Sequence, residues 1–232
     1  MEISPNIKPI ISDYLSGFLG EERYNIITNV LQNRTRYLTV CLEYIYQAQN
    51  ASAVLRSAEA FGLQDIHIIE ANNSYNVNPD VVRGSDKWLT LHRYNNCENP
   101  TQSAIDYLKK NGYRIVATSP HVNDVALSNY DITKGKVALF FGNEHNGVSN
   151  LVLDQADDFL YIPMYGFTES FNISVAAGMS IYVLREKLNS SSISWKLSDE
   201  EFESLRFRWL RKAVKRSDLT IKRFLEDNPH LK

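Results

Sequence analysis

The chain has 232 residues, of which 44% are hydrophobic and 22% are charged, and its formal net charge at pH 7 is −2. This is the composition of an ordinary globular protein that can bury a full core. The sequence has no apolar stretch of membrane-spanning length, no signal-peptide pattern in its first residues and no metal-binding spacing of its two cysteines, Cys41 and Cys97. A cytoplasmic protein without a metal or a membrane contact is therefore expected.

The predicted strands and helices alternate along the chain. Strands are predicted at 37–46, 65–70, 88–94, 113–118, 136–141 and 159–162, and helices at 21–33, 50–61, 100–111, near 151–156 and at 171–188. In the helix at 50–61, Asn50 is expected to be the N-cap, and Gly62 closes the helix. Alternation of this kind predicts an α/β fold with a mainly parallel sheet and helices on both faces.

Positive charge is concentrated near the end of the chain. Residues 206–223 include eight lysines and arginines but one acidic residue, whereas residues 37–205 include 12 basic and 20 acidic residues and are eight charges negative. A basic segment on an acidic body fits contact with a polyanion, and a merely solvated basic helix is the other interpretation. A capping box at Ser198 marks the start of this C-terminal helix. We therefore expect an N-terminal helical extension at 1–36, a central domain at 37–189 and a basic C-terminal helical extension at 195–232.

Three segments combine an apolar element with loop residues that suit ligand binding. They are residues 50–56 (the first motif, NASAVLR), 141–149 (the second motif, FGNEHNGVS) and 162–176 (the third motif, IPMYGFTESFNISVA). The second and third motifs each follow a predicted strand and lead toward a helix. In α/β proteins, such loops carry the backbone that binds ligands.

The three motifs resemble those of the SpoU/TrmH family of SPOUT-class RNA 2′-O-ribose methyltransferases. That family carries N-x-x-A-x-x-R, F-G-x-E-x-x-G-[LV]-S and I-P-M-x-G-x-x-x-S-[LF]-N-[VI]-S-x-A in this order. The resemblance covers residues 37–188 and implies a deep trefoil knot in the C-terminal strands and loops. It also implies that S-adenosylmethionine binds in the knot and that a homodimer interface lies against it.

The resemblance assigns roles to individual residues. It implies cofactor contacts at Thr118, Gly142, Ile162 and Phe171, and a transfer site formed by Arg56, Asn50, Glu144, Ser170 and Asn172. A guanidinium is a poor base at pH 7. Arg56 either acts with a phosphate in deprotonating the ribose hydroxyl or only orients that phosphate, and the sequence leaves both accounts open.

A further segment, residues 83–88, bears on the substrate. It reads RGSDKW and resembles the S-G-S-x-K-W segment of the branch that methylates guanosine 18 in the D-loop of tRNA, with Arg83 in place of the first serine. The expected partner is therefore tRNA, and ribosomal RNA or another tRNA site is the alternative. A non-catalytic RNA-binding protein of the same fold is the alternative of another class. The expected RNA contacts are Arg23, Lys87, Arg211, Lys212 and Lys215.

Overall fold

A computed structural model describes residues 3–70, 79–82, 84–95, 97–118, 125–143 and 146–231. The chain divides into two compact units. The larger unit is Thr35–Trp195, and the other, called the terminal unit here, combines Met1–Arg34 with Lys196–Lys232.

The larger unit contains a parallel sheet of seven strands among the described residues. The strands are β1 (Leu38–Glu43), β2 (Asp65–Ile69), β3 (Thr90–Tyr94), β4 (Tyr113–Thr118), β5 (Val125–Ala126), β6 (Lys136–Phe141) and β7 (Asp158–Tyr161). Their order across the sheet is β3-β2-β1-β6-β4-β7-β5. In the register at the centre of the sheet, Leu139 of β6 lies between Val40 of β1 and Val116 of β4. All strands therefore end at the same edge, where α/β proteins bind ligands.

Helices cover both faces of this sheet. They are α3 (Ala48–Ala60), α4 (Pro79–Val82), α5 (Pro100–Lys110), α6 (Asn150–Gln155) and α7 (Ile173–Asn189). Successive side chains of β6 point to opposite faces: Leu139 belongs to the core that includes residues of α3 and α7, and Phe140 to the core that includes residues of α5 and α6. The predicted parallel α/β fold is thus confirmed.

The terminal unit consists of helices α1 (Lys8–Ser16), α2 (Glu21–Gln32), α8 (Asp199–Ala213) and α9 (Ser217–Asp227). Its core includes Ile11 and Leu15 from the first part of the chain and Leu210 and Ile221 from the last part. The predicted capping box is present, because Ser198 and Glu201 exchange hydrogen bonds at the start of α8. The basic segment 206–223, however, is divided between α8 and α9 rather than lying on a single helix.

The first strand ends at Glu43 rather than at 46, and the starts of two helices also differ from the expectation. Helix α3 begins at Ala48 with Gln47 as its N-cap, so the prediction that Asn50 is the N-cap was wrong. The Asn50 side chain instead donates to Gln47 Oε1 and accepts from Asn172, which fixes it inside the first turn. Helix α7 begins at Ile173 rather than at 171, because Asn172 caps it.

Candidate active site

A cleft of about 720 Å³ lies at the ends of β4, β6 and β7. It is lined by Thr118, Phe141, Gly142, Asn143, Asn146, Gly147, Val148, Leu153, Leu160, Tyr161, Ile162, Met164, Glu169, Ser170, Phe171, Asn172, Ile173, Ala176 and Ser180. The volume is within the usual range for small-molecule sites. Parallel strands bring the second and third motifs together here because both motifs follow strand ends.

Gly142 occupies the most confined position of the second motif. A Cβ atom added there would lie 1.9 Å from the carbonyl carbon and oxygen of Gly147 and 2.1 Å from the nitrogen of Val148. The loop closes on itself through a hydrogen bond of 3.0 Å from the Gly147 nitrogen to the Asn143 oxygen, and Gly147 has a φ of 68°. Glycine is therefore required at residue 142 by the loop's own backbone.

The other predicted cofactor residues also line the cleft. Thr118 ends β4, and its Oγ1 donates a hydrogen bond of 2.7 Å to the carbonyl oxygen of Phe140, which fixes its rotamer. Ile162 follows β7 and packs partly against the core. Phe171 is 41% exposed, so its ring is accessible at the cleft wall. The four residues predicted to contact the cofactor are thus found around one cavity.

Asn172 links the third motif to the first. Its Oδ1 accepts from the nitrogen of Ser174 at 2.9 Å, which makes it the N-cap of α7, and its Nδ2 donates to Asn50 Oδ1 at 3.2 Å. Ser170 lines the same cleft and is exposed. The hydrogen bond between the two asparagines connects the first turn of α3 to the start of α7.

Arg56 lies two turns further along α3 and is exposed to solvent. It is not among the residues that line the cleft. Glu144, also predicted at the transfer site, and Arg83 lie outside the described residues.

Ser180 was missed by the sequence interpretation. It lies on α7, is 1% exposed, and lines the cleft. Its Oγ has no hydrogen-bond partner among the described residues. Buried hydroxyls are normally paired, so an unpaired one at a cavity wall indicates a group that meets a ligand. Its position within an apolar helical stretch gave no signal in the sequence.

The buried cysteine of β1 is not a nucleophile. Cys41 lies on β1 and is fully buried. Burial, and then the negative charge of Glu43, raise the pKa of its thiol well above the ordinary value. The thiol is therefore neutral at pH 7 and packs as a small apolar group.

The predicted RNA contacts differ in their surroundings. Arg23, Lys87, Lys212 and Lys215 are exposed. Arg211 instead forms an ion pair of 2.5 Å with Asp218. Arg206, also in the basic segment 206–223, contacts Asp13, Glu203 and the hydroxyl of Tyr24. It therefore helps to hold the terminal unit together.

Residues 37–182 match the SpoU rRNA Methylase family. The chain belongs to the SpoU methyltransferase family. The family resemblance seen in the three motifs is thereby confirmed, and membership implies the trefoil knot in the C-terminal strands and loops. In the part of the chain that the structure describes, no helix is both long and apolar enough to cross a membrane.

Individual relatives agree with this membership. The chain is 46% identical over 201 residues to a tRNA (guanosine(18)-2'-O)-methyltransferase of Borreliella burgdorferi, covering 87% of this chain and 90% of the relative. The crystal structure of the Aquifex aeolicus TrmH/SpoU tRNA modifying enzyme superposes with a TM-score of 0.73 and 29% identity, covering 84% of this chain and 98% of that one. The SpoU methyltransferase AviRb of Streptomyces viridochromogenes, solved with the cofactor AdoMet, has a TM-score of 0.57 and 25% identity, covering 70% and 62%.

The cleft fits S-adenosylmethionine, which family membership implies. Gly142 leaves the loop backbone accessible, Ile162 and Phe171 offer apolar surface, and the unpaired hydroxyl of Ser180 offers a donor. A cavity of this volume that combines apolar surface with polar groups suits a nucleoside cofactor.

Proposed function

We propose that the protein transfers a methyl group from S-adenosylmethionine to the 2′-oxygen of guanosine 18 in tRNA. The observation that carries this proposal is the single cleft in which the second and third motifs meet, joined to the first motif by the Asn172–Asn50 hydrogen bond. The identity of 46% to a guanosine-18 methyltransferase over most of both chains supports this choice of substrate within the family.

The residues of the chain act mainly by positioning. The cofactor, when bound, supplies a sulfonium methyl group that is already activated for transfer. Because little acid–base help is needed, correct placement of the ribose oxygen governs the rate. Gly142, Thr118, Ile162 and Phe171 form the cofactor side of the cleft, and Ser170 and Asn172 form its wall toward the first motif.

We propose that Arg56 contacts the RNA substrate. Its planar guanidinium can hold a phosphate by two parallel hydrogen bonds, and guanidinium groups are poor bases. We therefore assign it the orientation of the target phosphate rather than the removal of the ribose proton. Asn50 lies six residues before Arg56 on α3. Its side chain forms hydrogen bonds with Gln47 and Asn172, and these bonds hold the start of α3 in place. We propose that Glu144 also helps to hold Arg56 in place.

The tRNA is proposed to contact exposed cations on both units. These are Arg23, Lys212 and Lys215 on the terminal unit and Lys87 on the larger unit, with Arg211 available on exchange of its partner Asp218. Phosphate contacts of this kind position an RNA without reading its sequence. We assign catalysis to the central domain predicted at 37–189 and RNA capture to the extensions at 1–36 and 195–232.

Two aromatic side chains of the third motif fit an RNA partner as well. Tyr165 and Phe167 are fully exposed, and they lie in sequence between Met164 and Glu169, which line the cleft. Unstacked bases bind to exposed aromatic rings of this kind. We propose that these rings stack on the base of the target nucleotide, which must unstack from its neighbours before its ribose can reach the cleft.

We also propose that the protein acts in the cytoplasm as a homodimer. On α7, Val175 and Tyr182 lie seven residues apart and are about half exposed. Spacing of seven residues places them on one side of the helix, where a second copy can cover them.

The proposal is tested by nucleoside mass spectrometry of a tRNA transcript incubated with the protein and S-adenosylmethionine. We expect 2′-O-methylguanosine, located at position 18 by digestion with a base-specific ribonuclease. A methylated nucleoside at another position would show that the protein modifies another tRNA site. Methylation of ribosomal RNA alone would contradict the tRNA assignment.

A further inference from the structure

A buried carboxylate lies at the end of β1, next to the candidate active site. Glu43 is 1% exposed. Its Oε1 accepts hydrogen bonds from Ser149 Oγ at 2.7 Å and from Thr101 Oγ1 at 2.8 Å, and its Oε2 accepts from the Ser149 nitrogen at 2.7 Å. The three donors belong to neutral residues. The two carboxylate oxygens have acceptor sites for all three hydrogen bonds.

Ser149 is the last residue of the second motif. Gly142, Asn143, Asn146, Gly147 and Val148 of that motif form one wall of the cleft. Ser149 is also the N-cap of α6, since its Oγ accepts from the Val152 nitrogen. Glu43 thus holds both the backbone and the side chain of the residue at which the cleft loop ends.

The other end of the loop has a fixed point of its own. Gly142 directly follows β6, whose residues pair with β1 up to Phe141 beside Leu42. The loop therefore starts from the sheet next to β1 and returns to Glu43, the last residue of β1. Between these points it is packed so closely that Gly142 has no space for a Cβ atom. The described residues at both ends of the loop are therefore tied to β1 or to its neighbour in the sheet.

We propose that Glu43 is a positioning residue for the cofactor: it holds the second-motif loop in the shape that binds S-adenosylmethionine. This inference rests on the proposed function. Glu43 does not line the cleft itself, so it acts through Ser149 rather than by contact with the cofactor.

The test is S-adenosylmethionine binding by calorimetry with Glu43→Gln and Ser149→Ala, together with the Michaelis constants for the cofactor and for tRNA. Glu43→Gln replaces one of the two accepting carboxylate oxygens with an amide NH2 group. Ser149→Ala removes one of the two hydrogen bonds between Glu43 and the loop. We expect the dissociation constant of S-adenosylmethionine to rise at least tenfold in Glu43→Gln and several-fold in Ser149→Ala. The tRNA affinity and its Michaelis constant should stay within about twofold of the wild-type values.

Thr101→Val is the matched control, because it removes the hydrogen bonds of Thr101 to Glu43 and to the Tyr44 hydroxyl and leaves both bonds between Glu43 and the loop. Its cofactor affinity should remain within twofold of that of the wild type. Unchanged cofactor affinity in folded Glu43→Gln, or an equal loss in Thr101→Val and Ser149→Ala, would overturn the proposal. If Glu43→Gln does not fold, Ser149→Ala decides: wild-type affinity in that variant overturns the proposal. Methylation of tRNA by the wild-type protein is a separate measurement, so failure of the proposed function is distinguishable from failure of this inference.

Discussion

Asn172 Nδ2 donates a hydrogen bond to Asn50 Oδ1 across 3.2 Å, although the two residues are 122 positions apart in the sequence. Asn172 caps α7 at the wall of the cleft, and Asn50 lies in the first turn of α3, the helix that carries Arg56. This bond relates the cofactor side of the site to the RNA side. The first motif therefore contributes to the site through a contact, not by lining the cavity.

Asn172→Ser should separate the two roles of this residue. Serine is a good N-cap, so the melting temperature should change little, but its side chain is too short to reach Asn50. We expect the rate of methyl transfer in single-turnover experiments to fall about tenfold or more. An unchanged rate in the folded variant would show that the link between the asparagines does not matter for catalysis.

Gly142→Ala should weaken cofactor binding strongly, because even one methyl group collides with the backbone at Gly147 and Val148. The added side chain displaces the loop itself before it reaches any ligand. Gly166→Ala, in the third motif, is the control, since a Cβ atom there meets nothing within 4 Å. Calorimetry should show a large loss of S-adenosylmethionine affinity for the first variant only, and equal affinities in both would contradict the account.

Ser180→Ala should have opposite effects on the free protein and on the complex. Removal of an unpaired buried hydroxyl should raise the free energy of unfolding of the free protein, by up to about 1 kcal/mol, whereas loss of a hydrogen bond to the cofactor should lower affinity roughly three- to tenfold. Ser12→Ala in the terminal unit is the control, because its hydroxyl is also buried and unpaired among the described residues but lies outside the cleft. It should stabilise without changing affinity. Thermal unfolding with and without S-adenosylmethionine measures both effects, and equal affinities in the two variants would remove Ser180 from the site.

Reversal of charge at Lys212 and Lys215 should weaken tRNA binding and flatten its salt dependence, by roughly 0.7–0.9 in log–log slope for each phosphate that the variant no longer neutralises. Arg211 is left intact because it pairs with Asp218 within the terminal unit. Reversal at Lys109 and Lys110, both exposed on α5, changes the net charge equally and serves as the control. If tRNA affinity and salt slope were the same in both double variants, the basic segment would have no specific role in RNA capture.

The order of strands and helices could be predicted from the sequence because their boundaries carry local signals. Gly62 and Gly112 follow α3 and α5 with φ values of 80° and 76°, which glycine adopts readily, and these helix ends were placed correctly. The division between α8 and α9 carries no such signal. Arg216 has a φ of 55° at the start of α9, a conformation that is uncommon for arginine, and Leu210 before it and Ile221 after it both belong to the core of the terminal unit.

The candidate site was predictable only where the family resemblance marks it. Thr118, Gly142, Ile162 and Phe171 were found from the resemblance, and they surround one cavity. Ser180 could not be found, because its importance depends on a missing hydrogen bond, which only the folded structure reveals. The position of Asn50 was misjudged for a similar reason: its amide is used by Gln47 and Asn172, and the second of these contacts is non-local.

Arg56→Ala should abolish methyl transfer while cofactor affinity stays nearly unchanged, because Arg56 lies on α3 outside the cleft. Arg56→Lys should also be poor, since an ammonium group cannot form the two parallel bonds of the guanidinium. Single-turnover rates and calorimetry on the same samples measure both quantities. Equal losses of activity and cofactor binding would show that Arg56 is structural.

Methyl transfer to the ribose of guanosine 18 can be tested with two tRNA transcripts that differ by one atom. One carries guanosine at position 18 and the other carries 2′-deoxyguanosine there, and each is incubated with the wild-type protein and S-adenosylmethionine labelled in its methyl group. We predict transfer of label to the first transcript and none to the second. Equal labelling of both transcripts would contradict the account.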